Sequence, residues 1–259
     1  ATLETLTLDV LKSTEIEGEY LNPDQVRSSI ARRLGLEIAG SVESDRNVDS
    51  VVEMMLDATQ NCYKPLSAER LFDWHAALFP TGRSGAPDSS LLESEMSRFL
   101  DWFNKSSELD LVLKASVAHL WFVTIHPFDD GNGRITRALT DMLLAQSDRS
   151  SQRFYSMSAQ IRLERKQYYE ILEKTQKGNL DITDWIKWFL SCLLNALKST
   201  DTILDRVLFK ADFWTRHAKT IMNERQKKLL NKILDGFEGK LTSSKWAKIA
   251  KCSKDTAIR

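Results

Sequence analysis

The chain has 259 residues with 36 basic and 36 acidic side chains, so its formal net charge is zero. Hydrophobic residues make up 42% and charged residues 28%, which is typical of a globular protein and excludes a disordered or fibrous chain. Ten glycines and five prolines are few for this length and favour long helices. Three cysteines without a C-x-x-C pair argue against a zinc or redox motif and fit a reducing compartment.

The sequence contains neither a predicted membrane span nor a visible export signal. The most apolar stretch, residues 109–125, includes Asp110, Lys114 and His119, which are unfavourable in a bilayer. The first residues lack a basic segment followed by an apolar run. We therefore expect a cytoplasmic protein with no membrane partner. Because the chain opens with Ala1 rather than methionine, we also expect further residues upstream.

Helical spacing of apolar residues accounts for most of the chain. Residues 3–11 alternate leucine with threonine or aspartate, and a helix start follows at Asn22-Pro23. Predicted helices cover residues 26–36, 48–59, 68–79, 91–104, 109–125, 135–146, 162–177, 184–198 and 201–224. The stretch over 109–125 is apolar on nearly every face, which predicts a helix at the centre of the fold. The predicted fold class is all-α.

A histidine stands at the end of this central helix. Because Pro127 disfavours helical backbone angles in the preceding residue, the helix is predicted to end at His126 and to present its imidazole at a loop. Histidine titrates near neutral pH and can act as a general base. Phe128 is predicted to fix the loop by inserting into the core. A single histidine in such a place is more often structural, so its neighbours decide the interpretation.

The neighbours of this histidine form a site suited to polyphosphate. Gly131 to Gly133 can adopt positive φ, expose backbone N–H groups and lead into a helix N-terminus that favours anions. Arg134 and Arg137 are three residues apart and share a helical face. Asp130 offers a hard oxygen ligand for Mg²⁺. Base, anion cradle, metal ligand and two guanidinium groups within twelve residues predict a nucleoside triphosphate site.

The same twelve residues, His126 to Arg137, resemble the signature of Fic proteins at all nine specified positions, His-Pro-Phe-x-Asp-Gly-Asn-Gly-Arg-x-x-Arg. Outside the signature, the resemblance extends from about Leu8 to the C-terminus and is to bacterial Fic proteins with a C-terminal winged helix. It implies a protein adenylyltransferase with ATP as co-substrate. His126 would deprotonate a serine, threonine or tyrosine hydroxyl, on another protein or on the chain itself, for attack on the α-phosphorus.

The resemblance also implies which residues hold the nucleotide. Asp130 would hold Mg²⁺ between the α- and β-phosphates, with Arg134 near the β-phosphate and Arg137 on the γ-phosphate. The implied ATP-binding residues are Gly131, Asn132, Gly133, Arg134, Arg137, Tyr168, Tyr169 and Gln176. Among these, the Asn132 side chain would contact phosphate and the last three would line the adenosine pocket. Paired tyrosines on a helix are also what core packing alone would give.

A second motif near the N-terminus, Ser13-Thr-Glu-Ile-Glu17-Gly18, resembles the inhibitory motif of the family. Read alone, a serine followed by glutamates is a common helix start. Beside a complete signature, it implies that Glu17 pairs with Arg137 and removes the guanidinium that would hold the γ-phosphate. A spacing of four residues puts Ser13 and Glu17 on one helical face. We therefore expect autoinhibition that Glu17→Gly relieves.

Two regions depart from the family or leave its pattern incomplete. The resemblance implies a β-hairpin flap for docking the target, but the interval 80–89 is too short for two strands. Either the flap is absent or residues between Gly85 and Ala86 are missing, and we favour the second.

Residues 205–259 carry fourteen Lys or Arg and six Asp or Glu, a net charge of +8. They resemble a winged helix cut off inside its second helix.

The predicted organisation is an N-terminal inhibitory segment (1–47), a Fic helical bundle (48–204) and a partial winged-helix module (205–259). Its partners would be ATP and a protein substrate. The basic module fits DNA contact and, equally, docking of a protein or of a second copy in a homodimer. Two alternatives to AMP transfer stay open: removal of AMP or transfer of another phosphate-linked group, and a DNA-binding regulator that only senses nucleotide. His75 and His119 are predicted to be structural, and His217, in the basic module, is assigned no role.

Overall fold

The computed structural model describes residues 2–38, 40–79, 90–105, 108–234, 240–250 and 252–253. All regular secondary structure in these residues is α-helical, and they include no β-strand, so the prediction of an all-α fold is confirmed. None of these helices combines the length and apolarity needed to span a bilayer. The chain divides into two compact units, residues 1–197 and 198–259.

The helices are α1 (Thr2–Ile16), α2 (Pro23–Arg33), α3 (Arg46–Gln60), α4 (Ala68–Leu78), α5 (Ser90–Asn104), α6 (Leu111–Ile125), α7 (Asn132–Asp148), α8 (Met157–Leu163), α9 (Arg165–Gln176), α10 (Thr183–Arg216), α11 (Glu224–Leu234) and α12 (Ser243–Ala250). Residues 3–11, whose alternation gave no helical period, lie in α1. The helix predicted over 162–177 is interrupted at Glu164, which separates α8 from α9.

Two central helices, α6 and α7, form the middle of the first unit. They pack against each other, and α7 also contacts α1, α3 and α4. Buried apolar side chains of α7, including Leu139, Met142 and Leu143, belong to the same hydrophobic core as Phe122 of α6. This packing fixes the position of residues 126–131, which join the end of α6 to the start of α7. The predicted site therefore lies on a rigid support.

Helix α1 packs against the other helices of the first unit through charged as well as apolar contacts. Arg153 is buried between two carboxylates, with Nη1 2.7 Å from Asp141 Oδ1 on α7 and Nη2 3.7 Å from Asp9 Oδ2 on α1. The Ser156 hydroxyl donates a hydrogen bond to Asp9. Burial, followed by the nearby Asp141 charge, raises the pKa of Asp9 to about 8. The helix that carries the predicted inhibitory motif is thus held by a buried polar cluster.

The second unit contains the C-terminal part of α10 together with α11 and α12. Trp214 Nε1 donates a hydrogen bond to Asn231 Oδ1 at 3.0 Å, and Leu229 and Leu234 are buried. The second helix of the predicted helix-turn-helix falls on residues 254–259, outside the described residues. The same is true of the predicted flap interval 80–89. Both assignments therefore remain predictions.

Candidate active site at the junction of the central helices

The central helix α6 ends at His126 in a left-handed conformation. His126 has φ 54° and ψ 56°, and its backbone N–H donates to the Phe122 carbonyl at 3.0 Å. A positive φ is unusual for a residue with a side chain and is common at helix C-termini. The imidazole is exposed, with Nδ1 3.4 Å from the Val123 carbonyl. A proton held on Nδ1 toward this carbonyl would leave Nε2 as the basic nitrogen.

The loop after His126 is held by one aromatic ring and one amide. The Phe128 ring is buried and stacks on His75, with the ring centroids 4.3 Å apart and an interplanar angle of 10°. Asn132 bonds to both backbone groups of Phe128: Oδ1 accepts from its N–H at 3.1 Å and Nδ2 donates to its carbonyl at 2.5 Å. The Asn132 side chain therefore braces the loop. The phosphate contact that the sequence resemblance implied for this side chain stays a prediction.

Helix α7 begins without a side-chain cap, next to the catalytic candidate. Gly131 occupies the N-cap position with φ 84° and, having no side chain, makes no capping hydrogen bond to the N–H groups of the first turn. Such a start attracts anions through its free N–H groups and the helix dipole. A Cβ added at Gly133 would lie 2.0 Å from Glu17 Oε1. The carboxylate of Glu17 thus occupies the cradle where phosphate is predicted.

Arg137 is buried and makes three contacts with the N-terminal motif. Its Nε donates to Ser13 Oγ and its Nη2 to the Ser13 carbonyl, both at 2.8 Å. Nη2 also lies 2.8 Å from Glu17 Oε1. The remaining nitrogen, Nη1, is buried and has no acceptor in hydrogen-bonding geometry among the described residues. A buried guanidinium donor beside an anion cradle is suited to a phosphate oxygen.

Arg134 pairs with a carboxylate that sequence reasoning missed. Its Nη1 lies 2.8 Å from Glu19 Oε2, and its guanidinium stacks over the Phe79 ring at 5.1 Å. Asp130 is more distant, with Oδ1 3.8 Å from Arg134 Nη2. Both arginines of the signature are therefore paired with glutamates of one short segment, Glu17 with Arg137 and Glu19 with Arg134. The only sequence signal was a second acidic residue two positions after Glu17.

Asp130 has the exposure expected of a metal ligand that works together with a bound phosphate. Its side chain is 69% exposed, and Oδ1 accepts a hydrogen bond from the Gly131 N–H at 2.6 Å. Over the described ranges no three His, Cys, Asp or Glu side chains form a metal cluster. Mg²⁺ commonly binds through one or two carboxylates, water and substrate phosphates, so a single carboxylate beside an anion cradle fits it.

The three residues predicted to line the adenosine pocket lie in different environments. Tyr168 is only 2% exposed, and its hydroxyl lies 2.9 Å from His119 Nε2. Tyr169 is 40% exposed and contacts the Arg165 guanidinium. Gln176 donates a hydrogen bond to Thr124 at 3.1 Å and lines a cavity of about 400 Å³ between α6 and α9. Tyr168 is therefore a core residue in this conformation, whereas Tyr169 and Gln176 are accessible.

Comparison with known proteins identifies a family over the part of the chain that carries this site. The Fic/DOC family model matches residues 20–144, which include the complete signature, and a domain of unknown function, DUF4172, matches residues 1–36. Proteins named protein adenylyltransferase Fic are similar over part of the chain. The Drosophila willistoni protein is 36% identical over 99 residues, covering 38% of this chain and 18% of that protein. The Drosophila melanogaster protein is 36% identical over 110 residues, covering 42% and 20%.

Solved structures extend the similarity to the fold. A Fic family protein from Desulfovibrio desulfuricans aligns with a TM-score of 0.59 at 21% identity, covering 98% of this chain and 76% of that one. Fic-1 from C. elegans aligns with a TM-score of 0.56 at 22% identity, covering 78% and 64%. The chain spans about a fifth of the length of the curated relatives that it matches. By the match to the family model and by its sequence relatives, the chain carries a Fic/DOC-family domain at residues 20–144.

Proposed function

We propose that this chain is a protein adenylyltransferase, which transfers AMP from Mg-ATP to a serine, threonine or tyrosine hydroxyl of a protein, including itself. The observation that carries the proposal is the juxtaposition of an exposed His126 with an uncapped helix start flanked by two buried arginines. The relatives named adenylyltransferases support the same reaction type. A reducing, cytoplasmic location is part of this proposal.

The reaction is a phosphoryl-group displacement that needs a base and charge neutralisation. Nε2 of His126 would take the proton of the target hydroxyl as its oxygen bonds to the α-phosphorus of ATP. The bond from that phosphorus to the bridging oxygen breaks, and pyrophosphate leaves with the electron pair. The first-turn N–H groups of α7, together with Arg134 and Arg137, would stabilise the negative charge. Asp130 would hold Mg²⁺, which supplies further charge neutralisation when bound.

We further propose that the conformation described here is autoinhibited. The Glu17 carboxylate lies in the cradle at Gly133 and pairs with Arg137, so a terminal phosphate could bind there only by displacing it. Glu19 pairs with Arg134 in the same way. Two fixed carboxylates also repel an incoming triphosphate and would misalign its α-phosphate for in-line attack. Basal transfer by the unmodified chain is therefore expected to be low.

The proposal is tested by incubating the protein with ATP labelled at the α-phosphate and Mg²⁺. We expect weak self-labelling of the unmodified chain and an increase of at least about tenfold in Glu17→Gly, since one buried ion pair is worth more than 1.4 kcal/mol. Glu37→Gly, which alters an exposed glutamate in the segment after α2, is the matched control and should not activate. Adding His126→Ala to Glu17→Gly should abolish the label.

The same experiment distinguishes the alternatives. If ATP labelled at the γ-phosphate labels the protein and ATP labelled at the α-phosphate does not, the group transferred is not AMP. Release of AMP from a pre-labelled protein, with water taking the place of the protein oxygen on phosphorus, would indicate removal of AMP. Binding of Mg-ATP without label in every variant, with any protein offered, would favour a nucleotide sensor and contradict the proposal. DNA contact by residues 205–259 and pairing of two copies of the chain stay predictions, tested by gel shift and by light scattering.

A further inference from the structure

Every carbonyl in the last turn of α1 has a hydrogen-bond donor, and two of these donors are arginines from other helices. An α-helix leaves its last four carbonyls without partners of its own. In α1 the middle two accept from backbone N–H groups of the turn that follows, at 3.0 to 3.1 Å. The outer two are the Ser13 carbonyl, which accepts from Arg137 Nη2, and the Ile16 carbonyl, which accepts from Arg165 Nε, both at 2.8 Å. The C-terminus of α1 is thus capped from α7 and from α9.

Arg165 is held in position for this hydrogen bond by an aromatic ring of its own helix. It is the first residue of α9, and its guanidinium lies over the ring of Tyr169, one turn further along, 5.2 Å from the ring centroid. A planar guanidinium can stack on an aromatic face and donate hydrogen bonds from its edge at the same time. Its positive charge also lies at the negative end of the α1 dipole. Arg165 therefore acts as a C-terminal cap that a second helix supplies.

A second arginine near the end of α1 approaches a side chain and not the backbone. Arg162 of α8 has its Nε 3.7 Å from Glu15 Oε2, beyond hydrogen-bonding distance. The Glu15 carboxylate is already bound by Lys12 of α1 at 2.8 Å. Because a side chain can change rotamer without moving its helix, this pair constrains the position of α1 less than the bond to the Ile16 carbonyl does. Of the two arginines, Arg165 is the stronger attachment.

The hydrogen bond from Arg165 acts on the peptide group that leads into Glu17. The Ile16 carbonyl belongs to this planar group, so the bond fixes the plane from which the next side chain starts. From that position Glu17 Oε1 reaches Arg137 Nη2 at 2.8 Å. A phosphate that took Arg137 would remove the contacts of this arginine with α1, whereas the bond from Arg165 lies outside the anion cradle. Arg165 thus favours the return of the carboxylate.

We propose that Arg165 is a positioning residue for autoinhibition, which holds the end of α1 in place through the Ile16 carbonyl. The Glu17 carboxylate then stays against Arg137. The inference rests on the proposed function, in which a terminal phosphate has to displace that carboxylate. Arg165 sets how readily ATP does so, without contact to ATP or to the target. Loss of its side chain weakens autoinhibition and leaves the transfer step itself unchanged.

The test measures self-labelling by ATP labelled at the α-phosphate, with Mg²⁺, in two backgrounds. Arg165→Ala is introduced into the unmodified chain and into Glu17→Gly, and alanine is chosen because it favours the helical conformation of α9. In the unmodified chain we expect labelling to rise about two- to fivefold, since a partly exposed hydrogen bond from a charged donor is lost. In Glu17→Gly the same substitution should change labelling by less than about 1.5-fold, because the carboxylate that Arg165 positions is gone.

Two further variants separate the hydrogen bond from the charge. Lys166→Ala removes a positive charge at the next position of α9, where Lys166 lies 3.7 Å from Glu170, and should not activate. Arg165→Lys keeps a charged donor and should restore part of the autoinhibition. Activation by Lys166→Ala equal to that by Arg165→Ala would overturn the inference, since charge alone would then be responsible. Unchanged labelling in the unmodified chain, or an equal change in both backgrounds, would overturn it as well.

Amide hydrogen exchange of the free full chain tests the same contact without nucleotide. The N–H groups of Glu17, Gly18 and Glu19 close the turn after α1. Arg165→Ala should speed their exchange about two- to fivefold and leave the amides of α7 unchanged. Unchanged exchange in the turn, or equal acceleration in α7, contradicts the inference. If Glu17→Gly takes up no label, the proposed function fails, and exchange still decides whether Arg165 holds α1.

Discussion

At the residue scale, the site is a set of cations already matched by anions from the same chain. Arg137 binds Ser13 and Glu17, and Arg134 binds Glu19, all at 2.8 Å. Both guanidinium groups are nearly fully buried, so each requires a partner whether or not nucleotide is present. The segment that ends α1 therefore supplies in the free protein the charge that a triphosphate would supply in the complex.

Glu19 is expected to contribute to autoinhibition independently of Glu17. Glu19→Gln keeps the shape but removes the charge, so Arg134 becomes available to an anion while the Glu17 pair stays intact. Because Glu19 is half-exposed, its effect should be smaller than that of Glu17→Gly, about two- to fivefold in self-labelling. The comparison uses Glu37→Gln as the control. The double variant combines Glu17→Gly with Glu19→Gln. If it is no more active than Glu17→Gly alone, the two ion pairs do not act separately.

At the scale of elements, a single turn connects helix α1 to the candidate site. Helix α1 ends at Ile16, and Gly18 then adopts φ 86°, with its N–H bonded to the Glu15 carbonyl at 3.1 Å. The Glu19 N–H bonds to the Thr14 carbonyl at 3.1 Å, which completes the turn. This left-handed residue directs the chain so that the glutamates on either side of it reach two different arginines.

Substitution of Gly18 is expected to weaken the docking of this turn. A Cβ at Gly18 meets nothing within 4 Å, so Gly18→Ala tests backbone strain alone, at a cost of about 1 kcal/mol. Self-labelling should rise by up to about fivefold, the equivalent of that energy. Gly35→Ala is matched to it, with φ 66° and open space, but lies after α2. Equal activation by both variants would mean that general destabilisation, and not the turn, is responsible.

At the scale of the whole molecule, α1 is held on the first unit by a polar cluster as well as by its apolar face. Arg153 is shared between Asp9 of α1 and Asp141 of α7, the helix that begins at the anion cradle. Two buried carboxylates with one cation leave a surplus negative charge when both are ionised. Burial is the larger cause of the raised pKa of Asp9, and the nearby Asp141 charge, which proton binding by Asp9 relieves, adds to it. Stability of the first unit is thereby linked to pH.

The sign of this linkage is determined by the raised pKa. Between the ordinary pKa of aspartate and about 8, the folded protein retains a proton on Asp9 that the unfolded chain releases. The free energy of unfolding should therefore fall as pH rises through this range, by at most about 1.4 kcal/mol per pH unit for one proton. Asp9→Asn should flatten the dependence in urea titrations at pH 5, 6.5 and 8. Asp24→Asn, on the exposed start of α2, should leave it unchanged.

Much of the site could be predicted from sequence because its geometry is local. Pro127 ends α6 at His126, glycines open the start of α7, and three-residue spacing puts Arg134 and Arg137 on one face. Each of these follows from backbone restrictions over a few residues. The all-α fold follows in the same way from helical periodicity over most of the chain, although residues 3–11 show that alternation does not preclude a helix.

The contacts between distant segments were decided only by the tertiary structure. Glu19 meets Arg134 across 115 positions of sequence, and no local pattern distinguishes it from other exposed glutamates. The Tyr168 hydroxyl lies in the core because α9 packs beside His119, which spacing alone could not show. The sequence by itself determined the chemical groups and the backbone turns that present them. Tertiary packing decided which charges meet, because burial and pairing depend on how separate helices dock, and that is a property of the whole chain.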